Sequence, residues 1–174
     1  MLTKIDLCCM ALLKLGEEPI QSLTDDSAAA KLARTLFEPV MDSVIAAHPW
    51  RFATQTLELT KNTDGEFLIP SNVLRVLKTS GRIIGNKILG DGNSIKIVAV
   101  VKTAPESYPG YFISLAASRL AMEFCIPLMG DQTVFRMLAA MYESELQTAK
   151  FIDSTTSVAD GIPDFSMLSA RFKV

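Results

Sequence analysis

Apolar positions recur along this chain with two different periods, and the change from one to the other divides it. Near the N-terminus, Ile5, Cys8, Cys9, Leu12 and Leu15 fall at three- and four-residue steps, which places them on one stripe of a helix. Thr3 followed by Asp6 resembles a capping box, with Asp where Glu or Gln is usual, and Gly16 stands where the helix would stop. The loop EEPIQSLTDDS (17–27) ends in N-cap residues, so a second helix is expected from near Asp26 or Ser27 to about Ala47. Ala29, Leu32, Leu36, Val40 and Val44 mark its expected buried face. Pro39 lies inside that pattern, lacks a backbone donor and crowds the carbonyl of Thr35, so a kink is expected there.

The helical period stops at His48–Pro49, because a residue before proline is pushed out of the α region. From Arg51 onward the chain reads as strands: Phe52–Leu59, then VLRVLKT (73–79), RII (82–84), NKIL (86–89) and SIKIVAVVK (94–102). KNTDG (61–65), Ser80–Gly81, Gly85 and GDGN (90–93) supply the turns. The 3.6-residue period returns at Tyr108–Pro109, with Pro109 suited to a first helical position and Arg119 and Glu123 spaced for an ion pair. Pro127 and Gly130 are expected to end that helix. Asp131 could cap a last helix reaching about Asp153, with Phe135, Leu138, Tyr142, Leu146 and Ala149 on its apolar face.

The architecture this predicts is α+β, mainly α. It is an antiparallel bundle of about four helices, with a small antiparallel sheet of four or five strands inserted between the second and third helices, and an extended C-terminal tail. The expected boundaries are 1–50 for the first helical half, 51–104 for the β-rich insert, 105–153 for the second helical half and 154–174 for the tail. The tail carries Phe165, Met167, Leu168 and Phe172, with Arg171 beside the last. So many large apolar groups are unfavourable in water, so the tail is expected to dock on another surface.

Composition narrows the classes of function. Apolar residues make up 49% of the 174 residues and charged ones 21%, which fits a folded chain rather than a disordered one. A net charge of −2 and a pI near 5.4 argue against a protein that grips nucleic acid by neutralising phosphates. No apolar run approaches the roughly 20 residues needed to span a bilayer, so no membrane partner is expected. MLTKIDLCCMALLKLG is interrupted by Asp6 and Lys14 and is followed by no small-residue cleavage site, so it reads as an amphipathic helix rather than a signal peptide. Cys8, Cys9 and Cys125 form no ligand pattern, since adjacent helical residues point about 100° apart. They are expected to be buried thiols of a chain made in a reducing cytoplasm.

The stretch AAHPWRFA (46–53) holds the chain's single histidine and single tryptophan. A hydrolytic triad needs a base beside its nucleophile, yet His48 sits between an apolar helix end and a proline, and the chain contains no G-x-S-x-G stretch. His48, Pro49, Trp50 and Phe52 therefore read as a structural corner, in which the histidine could donate to the last helix carbonyls. Gly81, Gly85, Gly90 and Gly92 lack the Gly-Lys-Ser/Thr of a phosphate loop and suit hairpin turns. Asp25–Asp26 and Glu17–Glu18 favour the positive end of a helix rather than a metal. Glu123 could act as the acid of a cell-wall hydrolase only with a second carboxylate, and Arg119 is its simpler companion. No catalytic, cofactor or metal set emerges.

The order ALLKLGEEPIQSLTDDSAAAKLARTLFEPV (11–40), then HPWRFA (48–53), resembles the opening of the tail tubular protein A family, the head-to-tail adaptors of short-tailed bacteriophages. The matching features are Leu15–Gly16, Pro19, Ser22–Leu23, an acidic cap, a second helix and the Trp50-x-Phe52 corner. YPGYFISLAASRLAMEF and the helix after Asp131 resemble that family's second helical half, so the likeness covers about residues 7–57 and 105–153. It implies a virion protein at the head–tail junction: a ring of twelve copies, with portal protein on one side and tail nozzle protein on the other. DNA would pass through without specific binding, and no catalysis or cofactor would be needed. Twelve copies at −2 each would give roughly −24 per ring, and a negative lumen would repel DNA rather than hold it. Kinked helices, a detached sheet and an adhesive tail would suit subunits of a closed heterologous ring. The alternative is a virion-associated peptidoglycan hydrolase acting during DNA entry, with Glu123 as acid.

Overall fold

The computed structural model describes residues 1–159, with side chains to Thr155. Among these the helices are α1 (Lys4–Leu15), α2 (Ala28–Ala47), α3 (Gly110–Met129) and α4 (Gln132–Ala159). Between α2 and α3 lie β1 (Thr54–Thr60), β2 (Phe67–Leu68), β3 (Val73–Thr79), β4 (Arg82–Ile84), β5 (Lys87–Leu89) and β6 (Ser94–Val101). The fold is α+β, mainly α, as expected. The tail residues Phe165, Met167, Leu168, Arg171 and Phe172 lie outside the described residues.

Local signals place the helix ends. Thr3 Oγ1 accepts from the Asp6 amide at 3.2 Å while Asp6 Oδ2 accepts from the Thr3 amide at 2.8 Å, a complete capping box. Gly16 closes α1 at φ 76°, a left-handed conformation that glycine adopts without steric cost, and its amide donates to the Leu13 carbonyl. Ser27 Oγ accepts from the Ala30 amide and starts α2, while Asp131 Oδ1 accepts from Thr133 and Val134 and starts α4.

Several boundaries and faces differ from expectation. The buried face of α2 is Ala30, Ala33, Phe37, Val40, Met41, Val44 and Ile45, so Ala29, Leu32 and Leu36 lie only half-buried at its flank. Phe37 and Met41 outweigh the smaller side chains and turn the helix toward the core. Pro109 is the N-cap of α3 rather than its first residue, and α3 passes through Pro127 to end at Gly130. In α4 the helix continues past Asp153 to Ala159, and the hydroxyls of Ser154 and Thr155 donate back to the carbonyls of Phe151 and Ile152. Polar β-branched residues therefore do not end it. Cys8 and Cys125 are buried, but Cys9 is only half-buried, with its thiol donating to the Ile20 carbonyl at 3.2 Å.

Contrary to the reading of the sequence, α3 is long and apolar enough to cross a bilayer by length and composition. Its surroundings explain that composition: α1, α2 and α4 all pack on it, and a central helix is apolar on nearly every side. Its polar side chains tie these neighbours together. Lys14 of α1 donates to Ser118 of α3 at 2.6 Å and reaches Glu145 of α4 at 3.3 Å.

The insert forms two antiparallel sheets of three strands, ordered β1-β6-β3 and β2-β5-β4, rather than one sheet of four or five. The strand after the corner starts at Thr54, because Arg51–Ala53 forms a 3₁₀ turn. Its first and last strands pair from Thr54↔Val100 to Thr60↔Ser94, so the insert closes on itself. Leu59, Phe67, Ile88, Ile95, Ile97 and Ala99 make a second core between the sheets. Gly81 permits this approach: a Cβ there would lie 2.5 Å from the Leu89 carbonyl oxygen and from Ile88. The insert is not detached, since Val100 is buried in the helical core and Leu74 and Leu77 pack against it.

Candidate functional site

The corner after α2 is built around one buried ring. His48 is the C-cap of α2 in extended conformation, and Pro49 turns the chain so that the Trp50 amide donates to the His48 carbonyl at 2.8 Å. Trp50 is fully buried, and its indole N–H donates to the Val44 carbonyl at 3.0 Å. That carbonyl is among the last four of the helix, which have no partner within it. Thr54 Oγ1 donates to the Trp50 carbonyl at 2.7 Å, joining the corner to β1.

Around Trp50 stand rings from two segments far apart in sequence. His48 meets it edge-on at 4.6 Å and Phe112 edge-on at 5.2 Å, while Phe52 lies roughly parallel at 6.3 Å. Phe52, Tyr108 and Phe112 also meet one another edge-on at 4.7–5.7 Å. Edge-to-face pairs at such separations are each worth about 0.5–1.5 kcal/mol beyond area burial. Of the residues named from sequence, His48, Trp50 and Phe52 thus come together as the corner, with Pro49 making the turn.

Sequence reading missed the residue beneath. Asp153 of α4 is 3% exposed. It accepts from the Arg51 amide at 3.2 and 3.3 Å and from the Tyr111 hydroxyl at 2.7 Å, and His48 Nε2 stands 3.7 Å away. The signal was present: Asp153 continues the Leu146–Ala149 spacing of the apolar face by four more residues. A carboxylate on a core stripe calls for buried donors. Tyr111 stays a protonated donor, because burial first, and then its bond to Asp153, push its pKa well above the ordinary 10.

His48 is neutral at neutral pH. Burial lowers its pKa from the ordinary 6.5 and outweighs the attraction of Asp153, which at 3.7 Å is beyond a hydrogen bond, while Lys150 and Arg75 lower it further. The folded state thus resists a proton that the unfolded chain accepts near pH 6.5. Stability from this group is complete above that pH and is lost as the pH falls through it toward the folded value. Urea unfolding between pH 8 and 5 is expected to show a declining midpoint that flattens in His48→Gln; an unchanged slope in the variant would refute the assignment.

The other candidates resolve into structural roles. Glu123 is bound to Arg119 at 2.6 Å, and Arg119 also stands over the Tyr142 ring, so the pair joins α3 to α4. Asp25 accepts from the amides of Gln21 and Ser22, and Asp26 pairs with Lys31, so the two carboxylates serve different local contacts. A cleft lined by Phe37, Met41, Pro105 and Tyr108 is rimmed by Lys4, Glu38, Asp42 and Lys102. Glu38 binds Lys102 and Lys4, whose hydrogen bonds hold its carboxyl below the usual range, and Lys102 also reaches Asp42 at 3.1 Å. This network clasps α1, α2 and the end of the insert. What these groups accomplish is clamping: donors meet acceptors, and rings fill the space between.

No curated protein matches the chain. The family model described as tail tubular protein matches residues 5–95, just over half of the sequence. The matched stretch runs from α1 through α2 and the corner to the start of β6, so it takes in most of the β-rich region that the sequence resemblance left uncovered. The family is structural rather than enzymatic, in keeping with a site made of buried rings and a satisfied carboxylate. The chain belongs to the tail tubular protein family and is a structural component of the bacteriophage tail.

Proposed function

We propose that this chain is the head-to-tail adaptor of its virion: a ring of twelve copies between portal and tail nozzle that helps to seal the head and passes DNA during ejection. The observation that carries this reading is the family match across α1, α2 and the insert, joined to a second helical half in the order that adaptor proteins resemble. The tail beyond α4, with Phe165, Met167, Leu168, Arg171 and Phe172, is the segment proposed to grip the portal or an adjoining subunit. Deletion should start at Asp160, because residues 154–159 still belong to α4 and an earlier cut would unwind the turn after Asp153.

Electron microscopy of the purified full-length chain with portal-bearing heads is expected to show a twelve-fold ring at the vertex. Chains lacking 160–174 are expected to attach at least tenfold more weakly. Absence of a ring would overturn the adaptor reading, and unchanged attachment of the truncated chain would overturn the role of the tail.

A further inference from the structure

Among the described residues, two apolar surfaces outside both cores stand out. The β2-β5-β4 sheet has eight residues, six of them apolar, yet only Phe67 and Ile88 are buried. Leu68, Ile83, Ile84 and Leu89 are 41–50% exposed. Leu68 and Ile84 both stand opposite Lys87, and Leu89 stands opposite Arg82. Cross-strand partners share a face, so Leu68, Ile84 and Leu89 lie on one outer face with Arg82, and Lys87 of the central strand stands between Leu68 and Ile84.

The second surface runs along α4. Met137, Met141, Ser144, Thr148 and Phe151 fall within about a quarter of the helix circumference at 100° per residue, and none is charged. Met137, Met141 and Phe151 are 62%, 45% and 68% exposed. Arg136, Glu143 and Lys150 keep to other sides of the helix, while Leu138 and Ala149 carry its contact with the core. A charge-free side on a long helix that already buries a separate stripe marks a contact surface.

Charge indicates what covers them. Residues 54–104 carry seven Lys and Arg against four Asp and Glu, a net of +3, whereas the rest of the chain carries ten against fifteen, a net of −5. Sheet against sheet would bring Arg82 and Lys87 of one copy against the same residues of the next, whereas α4 balances Arg136 and Lys150 against Glu143 and Glu145 and sets up no such repulsion. Sheet against helix avoids that like-charge contact and pairs two different surfaces of one chain, which is the condition for a heterologous contact. We infer that the outer patch Leu68–Ile84–Leu89 of one copy packs on the Met137–Met141–Phe151 side of α4 in the next copy. This rests on the ring reading above and names the surfaces by which the ring would close.

The test uses full-length Ile84→Cys and Met141→Cys chains, oxidised after assembly with portal-bearing heads, with rings scored by electron microscopy. Mixed chains are expected to give a disulfide-linked dimer at least tenfold above either variant alone or the parent. Ile84→Asp is expected to keep its melting temperature and to assemble at least tenfold less well. Rings that form without mixed cross-links, or whose assembly Ile84→Asp leaves unchanged, overturn the contact while leaving the ring reading intact. Cross-linking of Met141→Cys with itself also overturns it, by placing helix against helix. Failure of the parent chain to form rings overturns both.

Discussion

Trp50→Ala is expected to destabilise the chain by about 3–5 kcal/mol, the usual loss when a large buried aromatic is truncated. The ring is fully buried, touches His48, Phe52 and Phe112, and caps the Val44 carbonyl. Truncation leaves a cavity at the junction of α2, α3 and β1, together with an unpaired carbonyl at a helix end. At about 2–4 °C per kcal/mol for a chain of this size, the melting temperature should fall by roughly 10 °C. Trp50→Phe should keep most of the packing and lose the N–H bond, for a cost of about 1–2 kcal/mol. Calorimetry or urea unfolding measures both. A Trp50→Ala protein that melts like the parent but fails to assemble would instead place the ring at an interface between subunits.

Asp153→Ala should cost about 2–4 kcal/mol, because it removes a buried carboxylate and breaks its part-buried bonds to the Arg51 amide and the Tyr111 hydroxyl. Both the Arg51 amide and the Tyr111 hydroxyl donate to this one carboxylate, so its removal breaks the two bonds together. Asp153→Asn keeps a carbonyl oxygen that can still accept one of these bonds, so its cost should be roughly half. Hydrogen exchange offers a second reading: the Arg51 amide should exchange faster in Asp153→Ala than in Asp153→Asn. An Asp153→Ala protein within about 0.5 kcal/mol of the parent would mean the carboxylate does not hold the corner.

These two residues join segments about a hundred positions apart. The end of α2, the start of α3 and the last turns of α4 meet at one point, and β1 leaves from the same place. A tail component works through the position of its surfaces, and a rigid junction fixes the orientation of the β-insert relative to the helices. In the proposed ring contact, that orientation decides whether the outer sheet patch of one copy can reach α4 of the next. Weakening the corner is therefore expected to lower assembly as well as stability, whereas Ile84→Asp is expected to lower assembly alone.

Much of the fold was legible in the order of residues. The four helices followed from apolar spacing, and the starts of α1, α2 and α4 from Thr3 with Asp6, Ser27 and Asp131, because caps act between residues two or three positions apart. The corner at His48–Pro49 and five of the six strands were readable for the same reason: proline geometry and turn residues act locally. The division of the insert into two sheets was not readable. Strand β2 has only two residues, too few to show any period, and the pairing of β1 with β6 spans forty residues. The direction in which α2 faces, and the passage of α3 through Pro127, were likewise settled by the neighbours packed against them. Asp153 is the clearest case. The sequence alone shows a polar residue at a helix position reserved for the core; only the tertiary fold brings it the Arg51 amide and the Tyr111 hydroxyl, since a buried charge is stable where distant donors converge on it.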